Sequence, residues 1–198
     1  DRLSYKLEKT APYDVVIVGD DAALQFVIDY REELFSGIPV VFEGINDTER
    51  AKTAVADGLT TGVIEQIPYK ENLELATSLY PDADRIVAIT DDSISGLGEI
   101  KEFQKLAESY TDFRFEELNA SLYSKKEFAA ELEKFDKHTI VIFLICSEDK
   151  DGNAYTNREV EEMIKEHTHV PIFRVVQEGV GNGFFGGAVV SFEDAGQL

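Results

Sequence analysis

Short apolar runs rich in β-branched residues alternate along the chain with longer segments whose apolar residues recur at helical spacing. The run YDVVIVGDD ends in two acids, and in the segment that follows it Leu24, Val27 and Ile28 share one helical face. Further candidate strands lie in IPVVFEGIN, TTGVIEQI, DRIVAITDD, FRFEELN, HTIVIFLICS, VPIFRVV and GAVVSFE. Because parallel strands need long crossovers, this alternation predicts an α/β fold with helices on both faces of a parallel sheet.

The number of candidate strands favours two lobes over one sheet. Eight strands are many for a single open sheet, and the segment GVIEQIPYKENLEL, with Pro68 inside it, is typical of a crossover. We therefore expect two α/β lobes.

Polar residues cluster in the turns that follow these strands. In open α/β folds ligands bind beyond the carboxyl ends of the strands, so these turns predict a binding site. The same residue types also cap helices, and capping stays an alternative for each of them. The turns are Asp20-Asp21, Glu43 to Asn46, Asp91 to Gly96 and Cys146-Ser147.

Charge excludes several classes of partner. The 198 residues include 39 acidic and 19 basic side chains, a net charge of −20, and such a field repels phosphate backbones and anionic lipids. We expect no nucleic-acid partner, and membrane association only through parts of a longer protein, because the chain has no apolar run of membrane length. The opening Asp1-Arg2-Leu3 resembles neither a signal peptide nor a start methionine, which indicates an excised piece.

Two motifs imitate cofactor or metal sites without matching them. GNGFFG has the glycine spacing of a dinucleotide fingerprint, but it leads into the strand-like AVVSFE and not into a helix. Asp149, Asp151 and Asn153 match the first ligands of a calcium loop, whereas Ala154 and Val160 stand where the turn glycine and the bidentate glutamate belong. We expect a solvated turn there, no metal and no cofactor.

Catalytic residues are also not recognisable. Cys146 ends an apolar strand, where a free thiol is usually a small core residue. His167 and His169 near a helix end are explained as C-terminal cations. The sequence has no serine elbow, Walker loop or histidine–carboxylate set, so we expect a protein that is not an enzyme.

Three long segments, DDAALQF, LFSGIPVVFEGIND and GNGFFGGAVVS, resemble the ABC-transporter-substrate-binding-like domains. These domains have the type 1 periplasmic-binding-protein fold and occur as solute-binding proteins or as extracellular sensors of bacterial histidine kinases and diguanylate cyclases. The similarity covers nearly the whole chain.

The resemblance implies two doubly wound, mainly parallel α/β lobes joined by a hinge, with a small molecule held between them. It implies a partial first lobe in residues 1–67, a second lobe in 68–184, and a return strand towards the first lobe in 185–198. It also implies that the first lobe is truncated, and an exposed sheet edge there makes a homodimer possible.

Matched position by position, the resemblance implies a ligand site that draws on both lobes. Its carboxylates favour an amine- or hydroxyl-bearing solute such as an amino acid or a sugar. The predicted ligand-binding residues are Asp21, Ala22, Glu43, Gly44, Ile45, Asn46, Gln66, Asp92, Ser93 and Ser95.

The function that follows is a non-catalytic, extracellular or periplasmic ligand-binding domain, either a sensor input or a transporter receptor. Two alternatives stay open, a flavodoxin-like or receiver-like cytoplasmic signalling domain and a doubly wound enzyme. A receiver needs a lysine after a later strand, and no lysine follows a strand of this chain in that way. A flavodoxin needs a Ser/Thr-rich phosphate turn after its first strand, where this chain has the acidic VGDDAA.

Overall fold

The computed structural model describes residues 2–11 and 13–191. It divides the chain into two compact units, the first ending at Gln66 and the second spanning Ile67–Ser191. The predicted boundary lay one residue further on, between residues 67 and 68.

The first unit has a three-stranded parallel sheet in the order β1-β2-β3. Its core lies on one face of the sheet, where Leu24 and Val27 pack against Val40 and Phe42. The opposite face leaves Ile17 70% and Val41 38% exposed. The helices that pack on this sheet among the described residues lie on the one face that carries the core. The elements are α1 (Arg2–Lys9), β1 (Val16–Gly19), α2 (Asp20–Asp29), α3 (Arg31–Leu34), β2 (Val40–Ile45), α4 (Thr48–Val55) and β3 (Thr60–Ile64).

The second unit has a five-stranded parallel sheet in the order β5-β4-β6-β7-β8. The chain moves from β4 outward to β5, then returns to the other side of β4 for β6, β7 and β8, which is a doubly wound arrangement. The order therefore reverses at β4 and β6, the position where such folds bind ligands. The elements are α5 (Tyr69–Leu79), β4 (Arg85–Thr90), α6 (Ile94–Ala107), β5 (Arg114–Asn119), α7 (Lys125–Leu132), β6 (Thr139–Phe143), α8 (Asn157–His167), β7 (Ile172–Val176) and β8 (Phe185–Val190).

Alternating residues of the central strands supply both cores of this unit. Val141 and Phe143 of β6 face α7 and α8, while Ile140 and Ile142 face α5 and α6. Because both faces are covered, β6 is buried along its whole length, as its unbroken apolar run predicts.

Three helices of the second unit begin at side-chain caps. Ser124 and Thr156 form capping boxes at α7 and α8, and Ser93 caps α6 by accepting a hydrogen bond from the backbone N–H of Gly96. The longest described helix, α6, has 14 residues, and no helix in the described ranges combines the length and apolarity needed to cross a bilayer.

The last strand lies in the second unit, which corrects the prediction that residue 185 begins a return to the first lobe. β8 pairs in parallel with β7, and the rings of Phe173 and Phe185 stack with centroids 5.3 Å apart. The side-chain amide of Asn72 donates to the carbonyl of Ala188 at 2.6 Å, which fastens β8 to α5. The backbone of β8 thereby pairs with the outer edge of β7. The remainder of the predicted return segment, residues 192–198, lies outside the described residues.

Candidate functional site

Asp21 holds the strand-end turns of the first unit together from inside. Its side chain is fully buried and accepts hydrogen bonds from the backbone N–H groups of Asn46 at 3.1 Å and Asp47 at 3.2 Å. It also pairs with Arg50 at 2.9 Å. Burial raises the pKa of Asp21, and these donors oppose that rise. Both oxygens accept hydrogen bonds from within the chain, so Asp21 supports the turn, and its contact with a ligand stays a prediction.

The ends of β1 and β2 approach each other closely. Gly44 has a φ of 66°, and a Cβ atom built there would lie 3.6 Å from the backbone nitrogen of Asp20. Asp20 itself has a φ of 76°, an uncommon conformation for a residue with a side chain. The turn after β2 therefore favours glycine at this position because of the positive φ, while a Cβ atom there would make only ordinary van der Waals contact.

Several acceptors at this edge lack donors. The Glu65 carboxylate, directly after β3, has no hydrogen-bond or ion-pair partner among the described residues. Burial raises its pKa, and the charges of Asp20, Asp21 and Glu43 raise it further. The Oδ1 atom of Asn46 is buried and likewise has no donor in the described part of the chain. An edge with such acceptors suits a molecule that brings N–H or O–H groups.

Glu65→Gln is expected to raise the melting temperature by a few degrees at neutral pH. A raised pKa in the folded state means that the charged Glu65 opposes folding above that pKa, and the opposition disappears as the pH falls towards the ordinary value of 4.5. Thermal melts across this pH range should show the difference closing. Glu32→Gln makes the same charge change on an exposed helix and is the control. A gain that does not depend on pH would contradict the assignment.

The other predicted residues of the first unit differ in accessibility. Ala22 and Glu43 are exposed, at the start of α2 and near the end of β2. Ile45 is fully buried in the core, so only its backbone can meet a ligand. Gln66 is exposed and directly precedes the second unit, which begins at Ile67.

In the second unit, Asp91 joins the two turns at the topological reversal. It is 1% exposed, and its Oδ1 atom accepts from the backbone N–H and the hydroxyl of Ser93. Its Oδ2 atom accepts from the backbone N–H of Ser147 at 2.7 Å and from the Ser147 hydroxyl at 2.6 Å. Asp91 thus fixes the turns after β4 and β6 to each other.

A cavity of about 340 Å³ opens above this junction. Asp92 and Ser93 line it, whereas Ser95 is buried in the first turn of α6 and does not. Asp92 accepts from the side-chain amide of Asn119 at 2.7 Å, and its backbone N–H donates to the Ser121 hydroxyl at 3.0 Å. The turn after β5 therefore belongs to the same site.

The calcium-like turn is exposed from Lys150 to Ala154, as the predicted solvated turn requires, and only Asp149 is buried within it. Asp149 is 6% exposed and accepts from the backbone N–H groups of Asp151 and Asn153 at 2.9 and 3.0 Å. Hydrogen bonds from Tyr155 and the Asn153 amide hold the pKa of Asp149 well below its usual range. Within the described ranges, no group of three or more His, Cys, Asp and Glu residues is arranged to hold a metal ion.

The nucleophilic side chains beside the cavity are not activated. Burial raises the pKa of the Cys146 thiol to about 12, and the carboxylates of Asp91 and Asp149 add to the rise. The thiolate is therefore scarce at neutral pH. Ser147 donates to a carboxylate, while all three histidines precede β6 or β7 and so lie towards the opposite edge of the sheet.

Sequence reasoning missed several residues of these two edges. Glu65 directly precedes the predicted Gln66, and Ser121 follows β5, so the strand-end rule could have identified both. Ser147 lies in one of the predicted turns but was not among the predicted ligand-binding residues. Lys150 also lines the cavity, and its ammonium pairs with Glu127 of α7. No local pattern signals that long-range pair.

No protein-family model and no curated protein matches this sequence, but solved structures do. The ABC domain from Streptococcus pneumoniae in complex with L-Trp has a TM-score of 0.67 and 19% identity, covering 98% of this chain and 64% of that one. A conserved domain protein from Vibrio cholerae O1 biovar El Tor has a TM-score of 0.66 and 19% identity, with 92% and 60% covered. An ABC transporter substrate-binding protein from Desulfitobacterium hafniense has a TM-score of 0.52 and 13% identity, with 87% and 49% covered.

This chain spans less than two thirds of the length of each of these three structures. Identities of 19% and below establish the fold and not the ligand. The resemblance read from the sequence is confirmed at that level. The chain has an α/β fold with parallel sheets that is periplasmic-binding-protein-like and similar to the folds of these three structures.

Proposed function

We propose that this protein is a non-catalytic domain that binds a small polar molecule outside the cytoplasm, as the sensor input of a signalling protein or as a transporter's substrate-binding protein. The observation that carries the proposal is the buried Oδ1 atom of Asn46, an acceptor without a donor in the described residues at a strand-end edge. A buried acceptor left unpaired costs about 1–3 kcal/mol, which a ligand donor would recover.

The chemistry of the first unit's edge favours an amine. The Glu65 carboxylate is raised in pKa by burial and by neighbouring carboxylates, and an ammonium group would relieve both effects. The structural neighbour from Streptococcus pneumoniae was solved with L-Trp, whose α-ammonium group has this chemistry. We infer that the ligand is an amino acid or another amine-bearing solute, with Glu43, Asn46 and Glu65 as its first contacts.

The chemistry of the second unit favours binding over turnover. Cys146 is protonated at neutral pH because its pKa is about 12, and Ser147 is held by Asp91. A receiver-type phosphoacceptor needs an accessible aspartate, whereas Asp21 and Asp91 are 0% and 1% exposed with both oxygens bonded. These observations count against the enzyme and receiver alternatives. Pairing of two chains through the first unit stays a prediction.

A thermal-shift screen of L-amino acids, polyamines and sugars tests the proposal. We expect an amine-bearing solute to stabilise the fold, by about 2.7 kcal/mol at a hundredfold excess over its dissociation constant. Asn46→Ala should weaken binding about tenfold, the cost of roughly one hydrogen bond. Gln104→Ala, which removes an exposed side-chain amide late in α6 and lines neither cavity, is the matched control. The absence of any stabilising solute would refute the function, and equal binding by both variants would refute the site.

A further inference from the structure

A second cavity, of about 530 Å³, lies in the second unit between α8 and the loop 177–184 that joins β7 to β8. We call it the α8 groove. Its lining includes Glu161 and Lys165 of α8 and Glu178 and Asn182 of the loop. It shares no residue with the strand-end cavity lined by Asp91 and the serines, and its volume is within the range of about 300–1,000 Å³ typical of small-molecule sites.

Glu161 is a buried carboxylate without a hydrogen-bond donor. It is 7% exposed, lines the groove, and has no hydrogen-bond or ion-pair partner among the described residues. Its Oε1 atom lies so close to Gly179 that a Cβ atom built on that glycine would be 2.6 Å away. A carboxylate that loses water without gaining donors is costly, so its position needs an explanation.

The nearest buried cation does not supply those donors. Arg174 interacts with Glu161 through its charge, but its hydrogen bonds go to carbonyl oxygens. Its Nε atom donates to Glu178 at 3.1 Å, and Nη1 donates to Phe143 at 3.4 Å and Leu144 at 3.1 Å. The field of Arg174 therefore explains why Glu161 tolerates burial, and the lone pairs of Glu161 stay open to the groove.

Lys165 supplies an unpaired charge of opposite sign in the same groove. It lies four residues after Glu161 on α8, a spacing at which glutamate and lysine ordinarily pair. Neither forms an ion pair in the described part of the chain. The lysine stem packs under Gly183, where a Cβ atom would lie 2.5 Å from Cδ. Gly179 thus packs against Glu161 and Gly183 against Lys165, and both charged side chains line the groove.

The other charged side chains of the groove each have an ion-pair or hydrogen-bond partner. Arg158 binds Glu162 at 3.0 Å, and the Asn157 amide donates to Glu178 at 2.6 Å. We propose that the α8 groove binds a small zwitterion of the α-amino-acid class, with its ammonium group donating to Glu161 and its carboxylate accepting from Lys165. This is a second site, and it does not depend on the strand-end ligand.

Solution NMR on the intact protein tests the proposal with each standard L-amino acid at millimolar concentration. We expect at least one to shift the backbone amide signals of Gly179 and Gly183. The methyl ester of that amino acid, which lacks the carboxylate, and its N-acetyl derivative, which lacks the ammonium group, should each bind at least tenfold more weakly. These analogues test the zwitterion on the wild-type protein, independently of any effect of substitution on folding.

Substitutions then locate the charges. Glu161→Gln and Lys165→Gln should each weaken binding at least tenfold, and Glu166→Gln on the exposed face of α8 should leave it unchanged. Asn46→Ala should also leave it unchanged, which separates this site from the strand-end site. The proposal is overturned if no amino acid shifts the two glycine signals, if the ester and the N-acetyl derivative bind as well as the parent, or if binding survives both charge substitutions.

Discussion

Replacing Asp91 with alanine is expected to lower the free energy of unfolding of the second unit by about 2–4 kcal/mol. Asp91 is 1% exposed and accepts four hydrogen bonds, two from Ser93 and two from Ser147. Alanine leaves two partly buried backbone N–H groups without their acceptor, and an unsatisfied buried group costs about 1–3 kcal/mol. The loss arises where β4 and β6 end, so it should also distort the strand-end cavity.

Chemical denaturation followed by circular dichroism measures this loss. Asp92→Ala is the control, because it makes the same change one residue later at an exposed position. We expect it to cost less than about 1 kcal/mol, as exposed polar contacts do. If Asp91→Ala and Asp92→Ala proved equally mild, the junction between the two turns would not have the role described here.

The spacing of apolar residues predicted most of the fold, because strands covered on both faces and strands covered on one face have different apolar patterns. The continuous apolar run of β6 indicates a strand covered on both faces, and both faces are covered. β8 shows where the prediction failed. Its segment FGGAVV has the composition of a strand in either unit, and its place beside β7 depends on Asn72, 116 residues away from Ala188. Such a contact leaves no local pattern.

The site was predicted by position and not by role. The strand-end rule identified the turns that contain Asp21 and Ser93, because parallel strands bring their carboxyl ends to one edge. It could not tell that Asp21 is buried behind its turn, since that depends on Arg50 and on two backbone N–H groups from another strand end. Burial separates a supporting carboxylate from a binding one, and the residues next to an aspartate in sequence do not show whether its side chain is buried.

The role assigned to Asp21 leads to a second large effect, in the first unit. Asp21→Ala is expected to reduce its unfolding free energy by about 3 kcal/mol, because Arg50 loses its buried partner and the N–H groups of Asn46 and Asp47 lose their acceptor.

Denaturation and hydrogen exchange together decide whether Asp21 acts in this way. The control, Asp29→Ala, removes an exposed carboxylate from the last turn of the same helix, where it accepts only from Gln25 at 2.8 Å. Faster exchange of the Asn46 and Asp47 amides in Asp21→Ala, but not in Asp29→Ala, would show that the carboxylate holds the turn. A solute that binds through Asn46 should then bind the Asp21→Ala protein more weakly, because the turn that positions Asn46 has lost its anchor. Unchanged exchange at both amides would instead mean that the turn after β2 is held by its own backbone, and the binding role predicted for Asp21 from sequence would again need an explanation.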